Sequence, residues 1–141
     1  RQLGNSVNVS ILKKLGKKLL IMTGARTDIN KFIALADVFI GVSRAALEAM
    51  SAERAVLVAG NEGYLGIFDE TKLPKAIETN FCCRGLKMSN ESDLENDICT
   101  LLESTNKETY GEYNRSVVQK YYSVDKMTDD CEKVYKDVII I

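Results

Sequence analysis

The chain has 141 residues, with 19 Lys and Arg against 20 Asp and Glu, a net charge of −1, and 45% apolar residues. That length suits a single α/β core, and the even charge balance leaves neither a basic footprint for nucleic acid nor an acidic tail. There is no histidine, so Ser-His-Asp and Cys-His catalysis within the chain, and zinc sites built on His, are excluded.

From the start of the chain, Val7, Ile11, Leu12 and Leu15 recur at helical spacing, and Gly16 can end that helix. Leu19-Leu20-Ile21-Met22 reads as a buried strand closed by Thr23-Gly24. Thr27 is placed to cap a helix whose apolar face is Ile29, Phe32, Ile33 and Ala36. Val38-Phe39-Ile40 is the next strand, followed by the turn Gly41-Val42-Ser43 and a helix over residues 43–52 that carries Arg44 and Glu48 on one face. Residues 55–59 form a further strand, ending in the turn Gly60-Asn61-Glu62-Gly63. A short helix is predicted over 70–78 with Pro74 near its start or breaking it, then a last short strand at Phe81-Cys82-Cys83.

The remainder reads as helical. Ser92 and Glu95 form a capping box before Leu94, Ile98, Leu101 and Leu102. A helix follows over 108–121, and Ser123 caps a last one whose apolar positions are Val124, Met127, Cys131, Val134, Tyr135 and Val138. The β-α-β-α alternation predicts an α/β fold, a three-layer Rossmann-like parallel sheet with helices on both faces and a helical C-terminus.

The turn after residues 38–40 is the most informative point. A Gly-containing turn between a buried strand and a helix presents backbone N–H groups and the positive end of the helix dipole, which suits a phosphate. Glu48 offers a carboxylate to a ribose diol, or else only pairs with Arg44 as a surface salt bridge. Ser43 is either a plain N-cap or a cap and phosphate contact together. Gly60 and Gly63 serve a second strand-end turn, beside which Glu62 and Tyr64 face either a ligand or solvent. Two such turns on neighbouring strands make a ligand crevice in an open α/β sheet. Cys82, Cys83, Cys99 and Cys131 fit no Cys-x-x-Cys site and read as reduced core residues. The tyrosines at 110, 113, 121 and 122 read as helix packing ahead of a stacking platform. No apolar run approaches the roughly 18 residues of a membrane span. The chain opens at Arg1 and its first Met is Met22, which reads as an excised domain or a processed product.

The segments Ala36-Asp37-Val38-Phe39-Ile40, Leu47-Glu48-Ala49-Met50-Ser51-Ala52 and Ala55-Val56-Leu57-Val58 resemble the donor-binding half of bacterial GT-B glycosyltransferases of the family 4 type. The resemblance extends from about Leu19 to the closing helices, and it implies that residues 1–141 form one Rossmann-like nucleotide-sugar-binding domain. It implies transfer of a sugar from a UDP- or GDP-sugar to an acceptor hydroxyl, retaining and metal-independent, with no cofactor and no catalytic residue in this chain. The donor-binding residues it implies are Gly41, Val42, Ser43, Arg44 and Glu48, with Gly60, Asn61, Glu62, Gly63 and Tyr64. Gly24, Ala25 and Arg26 correspond to a turn against the nucleotide base, although from the residues alone they equally make an ordinary strand-to-helix turn. An acceptor-binding N-terminal domain is the implied partner. The implied location is cytoplasmic, with peripheral contact at the membrane as an option for the intact enzyme. Two departures stand out. The second glutamate that many members carry eight residues before the ribose glutamate falls on Ile40, and their Gly-Lys-Pro is Glu53-Arg54-Ala55. The competing readings are a GT-B-like nucleotide-sugar epimerase and a flavodoxin-like binding module without enzymatic activity.

Overall fold

A computed structural model describes residues 23–103, 105 and 107–139. The expected helix at Val7 to Leu15 and strand at Leu19 to Met22 lie outside the described residues. Within them the elements run α1 (Ile29–Leu35), β1 (Val38–Gly41), α2 (Ser43–Ser51), β2 (Ala55–Gly60), β3 (Gly63–Ile67), a 3-10 turn (Glu70–Lys72), α3 (Leu73–Glu78), α4 (Glu91–Glu103), α5 (Lys107–Tyr122) and α6 (Val124–Ile139). The protein is mixed α/β, with a small mixed sheet and a helical C-terminus.

The three strands lie in the order β1-β2-β3. β1 and β2 are parallel, with Val38 opposite Ala55 and Gly41 opposite Val58. Both are unbroken apolar runs, as parallel strands covered on both faces require. β3 corrects the expectation of an all-parallel sheet. It folds back antiparallel on β2, with Gly60 opposite Gly63 and a register irregularity between Val58 and Ala59. The expected turn Gly60-Asn61-Glu62-Gly63 is therefore the tip of a hairpin.

Alternation along β2 sends its side chains to two clusters. Val56 and Val58 pack with Ala46, Ala49 and Met50 of α2, with Phe68 and Phe81, and with Val117 of α5. Ala55 and Leu57 pack with Ile67 and with Leu101 of α4, joined by Val38, Ile40, Tyr64 and Leu94. Tyr110, Tyr113 and Tyr122 of α5 serve this packing, with the Tyr113 ring 6.0 Å from Phe68 and the Tyr122 ring edge-on to Phe81 at 5.9 Å, whereas Tyr121 is exposed beneath the Lys120 ammonium. Cys83 is buried, Cys82 and Cys99 are half-buried and Cys131 is exposed, so Cys131 is not the core residue expected of it.

Several local expectations shift. Asp28, not Thr27, stands at the N-cap of α1, and it makes no side-chain cap there. Its carboxylate is taken by the Arg26 guanidinium in two bonds of 2.8 Å. The helix expected over 70–78 splits into the 3-10 turn, capped by the Asp69 carboxylate on the Thr71 amide, and α3, with Pro74 in its first turn. The box expected from Ser92 and Glu95 is built two residues earlier. The Asp93 amide donates to Asn90 Oδ1 at 2.8 Å, and Asn90 Nδ2 donates back to the Asp93 carboxylate at 2.7 Å. Ser123 does cap α6, accepting from the Lys126 amide at 3.2 Å. The strand expected at Phe81-Cys82-Cys83 does not form. That stretch is a loop in which Asn80, Phe81 and Cys83 all adopt left-handed backbone, with φ of 50°, 56° and 59°.

Candidate functional site

β1 and β2 end side by side because they are parallel, and the two turns that follow them are in contact. Gly60 is required there: a Cβ on it would lie 2.8 Å from Val42 Cγ1. The loop 80–83 closes against the same edge. The Cys83 carbonyl oxygen occupies the space of a Gly63 side chain, 2.1 Å from where its Cβ would stand. The buried Cys83 thiol faces the Val58 carbonyl oxygen at 3.8 Å, and burial pushes that thiol up from its ordinary value.

The start of α2 differs in detail from the expectation. Val42, in extended conformation, is the N-cap and offers no side-chain acceptor. Ser43 is the first helical residue, held at φ 54°. Its N–H is already used, donating to the Phe81 carbonyl at 2.9 Å. Ser43 therefore neither caps the helix nor offers its amide to a ligand. The Ala46 amide bonds back to the Val42 carbonyl at 3.4 Å. The N–H groups of Arg44 and Ala45 have no carbonyl one turn earlier to bond, and both residues are exposed.

Glu48 is also exposed, one turn further along α2. Among the described residues neither Glu48 nor Arg44 enters an ion pair, so the bland alternative of a salt bridge between them is not what the chain forms. Among the described residues, the first turns of α2 after β1 thus carry two open amides, an unpaired guanidinium and an unpaired carboxylate.

The second turn is arranged differently. Asn61 and Glu62 are exposed at the hairpin tip. Glu62 is bound by Arg84, with Nε to Oε2 at 3.2 Å and Nη2 to Oε1 at 3.4 Å. Tyr64 is turned away from the tip. It packs with Leu57 and Ile67 and donates its hydroxyl to Asp97 Oδ2 of α4 at 2.5 Å. Burial first, and then that bond to a carboxylate, raise the phenol well above its ordinary range. Tyr64 is thereby engaged in holding α4 to β3. Gly24, Ala25 and Arg26 are exposed ahead of α1, and the Arg26 guanidinium lies 4.9 Å over the Phe32 ring as well as on Asp28. These contacts tie that turn to α1 itself.

Arg84 and the loop before it were not foreseen from the sequence. The sole signal was Asn80, a residue type that tolerates left-handed backbone; Phe81 and Cys83 give none. Among the described residues no group of acidic or sulfur side chains is arranged to hold a metal ion, and no helix is long and apolar enough to cross a membrane. Comparison of the chain with models of known protein families, with curated protein sequences and with solved structures gives no match.

Proposed function

We propose that this chain is the donor-binding domain of a GT-B glycosyltransferase, a Rossmann-like unit that holds a nucleotide-sugar while its sugar passes to an acceptor hydroxyl. The observation that carries the reading is Glu48. It is an exposed carboxylate with no ion pair among the described residues, one helical turn behind the open amides of Arg44 and Ala45 at the end of β1. A ribose diol on Glu48 and phosphate oxygens on those amides fit one ligand running along the first turns of α2. The helix dipole and Arg44 would offset the charge of a leaving diphosphate without a metal ion. Apolar clusters on both faces of β2 support the reading of a doubly wound sheet. The acceptor comes from another domain, because transfer needs both substrates held together.

Glu48→Gln is the test. The exchange keeps shape and removes charge, and a hydrogen bond to a charged group contributes about 1.5–3 kcal/mol. Calorimetric titration with a nucleoside diphosphate should therefore show binding roughly ten-fold weaker or more for the variant. Equal affinity for both proteins would remove Glu48 from the site and the ribose reading with it.

A further inference from the structure

Among the described residues the sheet runs β1-β2-β3, so β1 has a strand against one edge only. Val38, Phe39 and Ile40 are apolar and half-buried there. An apolar edge with unpaired backbone groups is a template for another strand.

The hand of the chain says where that strand comes from. α2 carries β1 to β2, and its Ala46, Ala49 and Met50 pack on the face of the sheet that holds Phe39, Val56 and Val58. Ile33 of α1 is buried in the same cluster, so α1 and α2 cover one face. Crossovers between parallel strands are right-handed in nearly all proteins. With both helices on one face, two successive right-handed crossovers step across the sheet in one direction. A strand that feeds α1 therefore falls on the side of β1 away from β2, at the open edge.

Residues 1–22 precede Thr23 and lie outside the described ones. Within them Leu19-Leu20-Ile21-Met22 is the apolar run nearest to α1. It matches β1 in length, and like β1 it has no polar alternation, as a parallel strand covered on both faces requires. Residues 23–28 and 36–37 connect it to β1 through α1. The 4 residues of such a strand advance about 13 Å. The 7 residues of α1 return about 10 Å, and the two links supply the rest.

We propose that the open edge of β1 is the docking surface for residues 19–22, paired parallel to it. A second copy of the chain is the weaker occupant, because a segment tethered through α1 meets this edge at high effective concentration. A parallel strand here ends where β1 and β2 end. The turn Thr23-Gly24-Ala25 then adjoins Gly41-Val42-Ser43, and the crevice at the strand ends gains a third turn. The placement itself depends on no ligand.

Amide hydrogen exchange on the full chain, resolved residue by residue by NMR, is the test. Successive strand amides point to opposite edges, so β2 bonds only alternate amides of β1. The outward set should exchange about 100-fold slower than unstructured amides, at every protein concentration. The same amides should show interstrand contacts to residues 19–22, in parallel order. Outward amides that exchange freely, or contacts to any other segment, overturn the proposal. Protection that grows with protein concentration overturns it too, since a second copy would then fill the edge.

Discussion

Phe81→Ala is expected to destabilise the chain by about 3–5 kcal/mol, the usual cost of deleting a buried aromatic ring. Phe81 is fully buried, its ring centroid 5.1 Å from that of Phe68, with Tyr122 edge-on to it at 5.9 Å. The same residue has φ 56° and lends its carbonyl to the Ser43 amide. A left-handed phenylalanine is held only because the surrounding packing fixes its ring. With the ring gone, the core loses its contacts and the loop loses what holds its backbone. Against a typical domain stability of about 5–15 kcal/mol this is a large fraction. Urea denaturation of the two proteins measures it. A loss under about 1 kcal/mol, beyond what a core position allows, would mean that Phe81 does not anchor the loop.

Gly111→Ala is expected to destabilise by about 2–3 kcal/mol, as overpacking does where neither side can yield. The sign is the informative part, since Gly→Ala inside a free helix is stabilising by roughly 1 kcal/mol. Gly111 lies in α5, where a Cβ would stand 2.2 Å from the Glu53 carbonyl oxygen and 2.8 Å from its carbon. Both are backbone atoms. Glu53 sits at φ 57°, and the next residue's carbonyl is held by Asn114 Nδ2 of the same helix at 2.8 Å. Glycine thus lets α5 close on the link between α2 and β2. Thermal unfolding that shows Gly111→Ala equal to or above wild type would contradict that contact.

The β1-α2-β2 unit was legible because each of its parts is a local signal: two apolar runs, a glycine at each strand end, and a helix with its polar residues on one side. β3 was hidden by its own glycines. Gly63 reads as turn chemistry together with Gly60, and in the fold it serves close approach at Cys83, while Gly66 within the same strand sits at φ 84°. The loop 80–83 was misread for the opposite reason. Phe81 and Cys83 are apolar because they are buried, and burial looks the same in a strand as in a left-handed loop. The start of α4 moved because Asn90 and Ser92 are both good caps, and Asn90 is the one that exchanges hydrogen bonds with Asp93 three residues on. Tyr64 was read as facing a ligand or solvent at the turn, since nothing local points to its partner Asp97, 33 residues away. At the candidate site, helical spacing put Arg44 and Glu48 on one face of α2, but it favoured a salt bridge between them that does not form. The Arg84–Glu62 pair was not legible, because Arg84 arrives through a loop whose conformation no residue type announces.

Phosphate binding by the open amides of α2 is measured most directly by a pair of titrations, a nucleoside diphosphate and its nucleoside, each at low and high salt. A helix N-terminus and a free arginine act through charge, so the diphosphate should bind more tightly, and its advantage should shrink as salt screens the interaction. If the bare nucleoside binds as tightly as the diphosphate at both salt concentrations, the turn after β1 is structural only and the nucleotide-sugar reading fails with it.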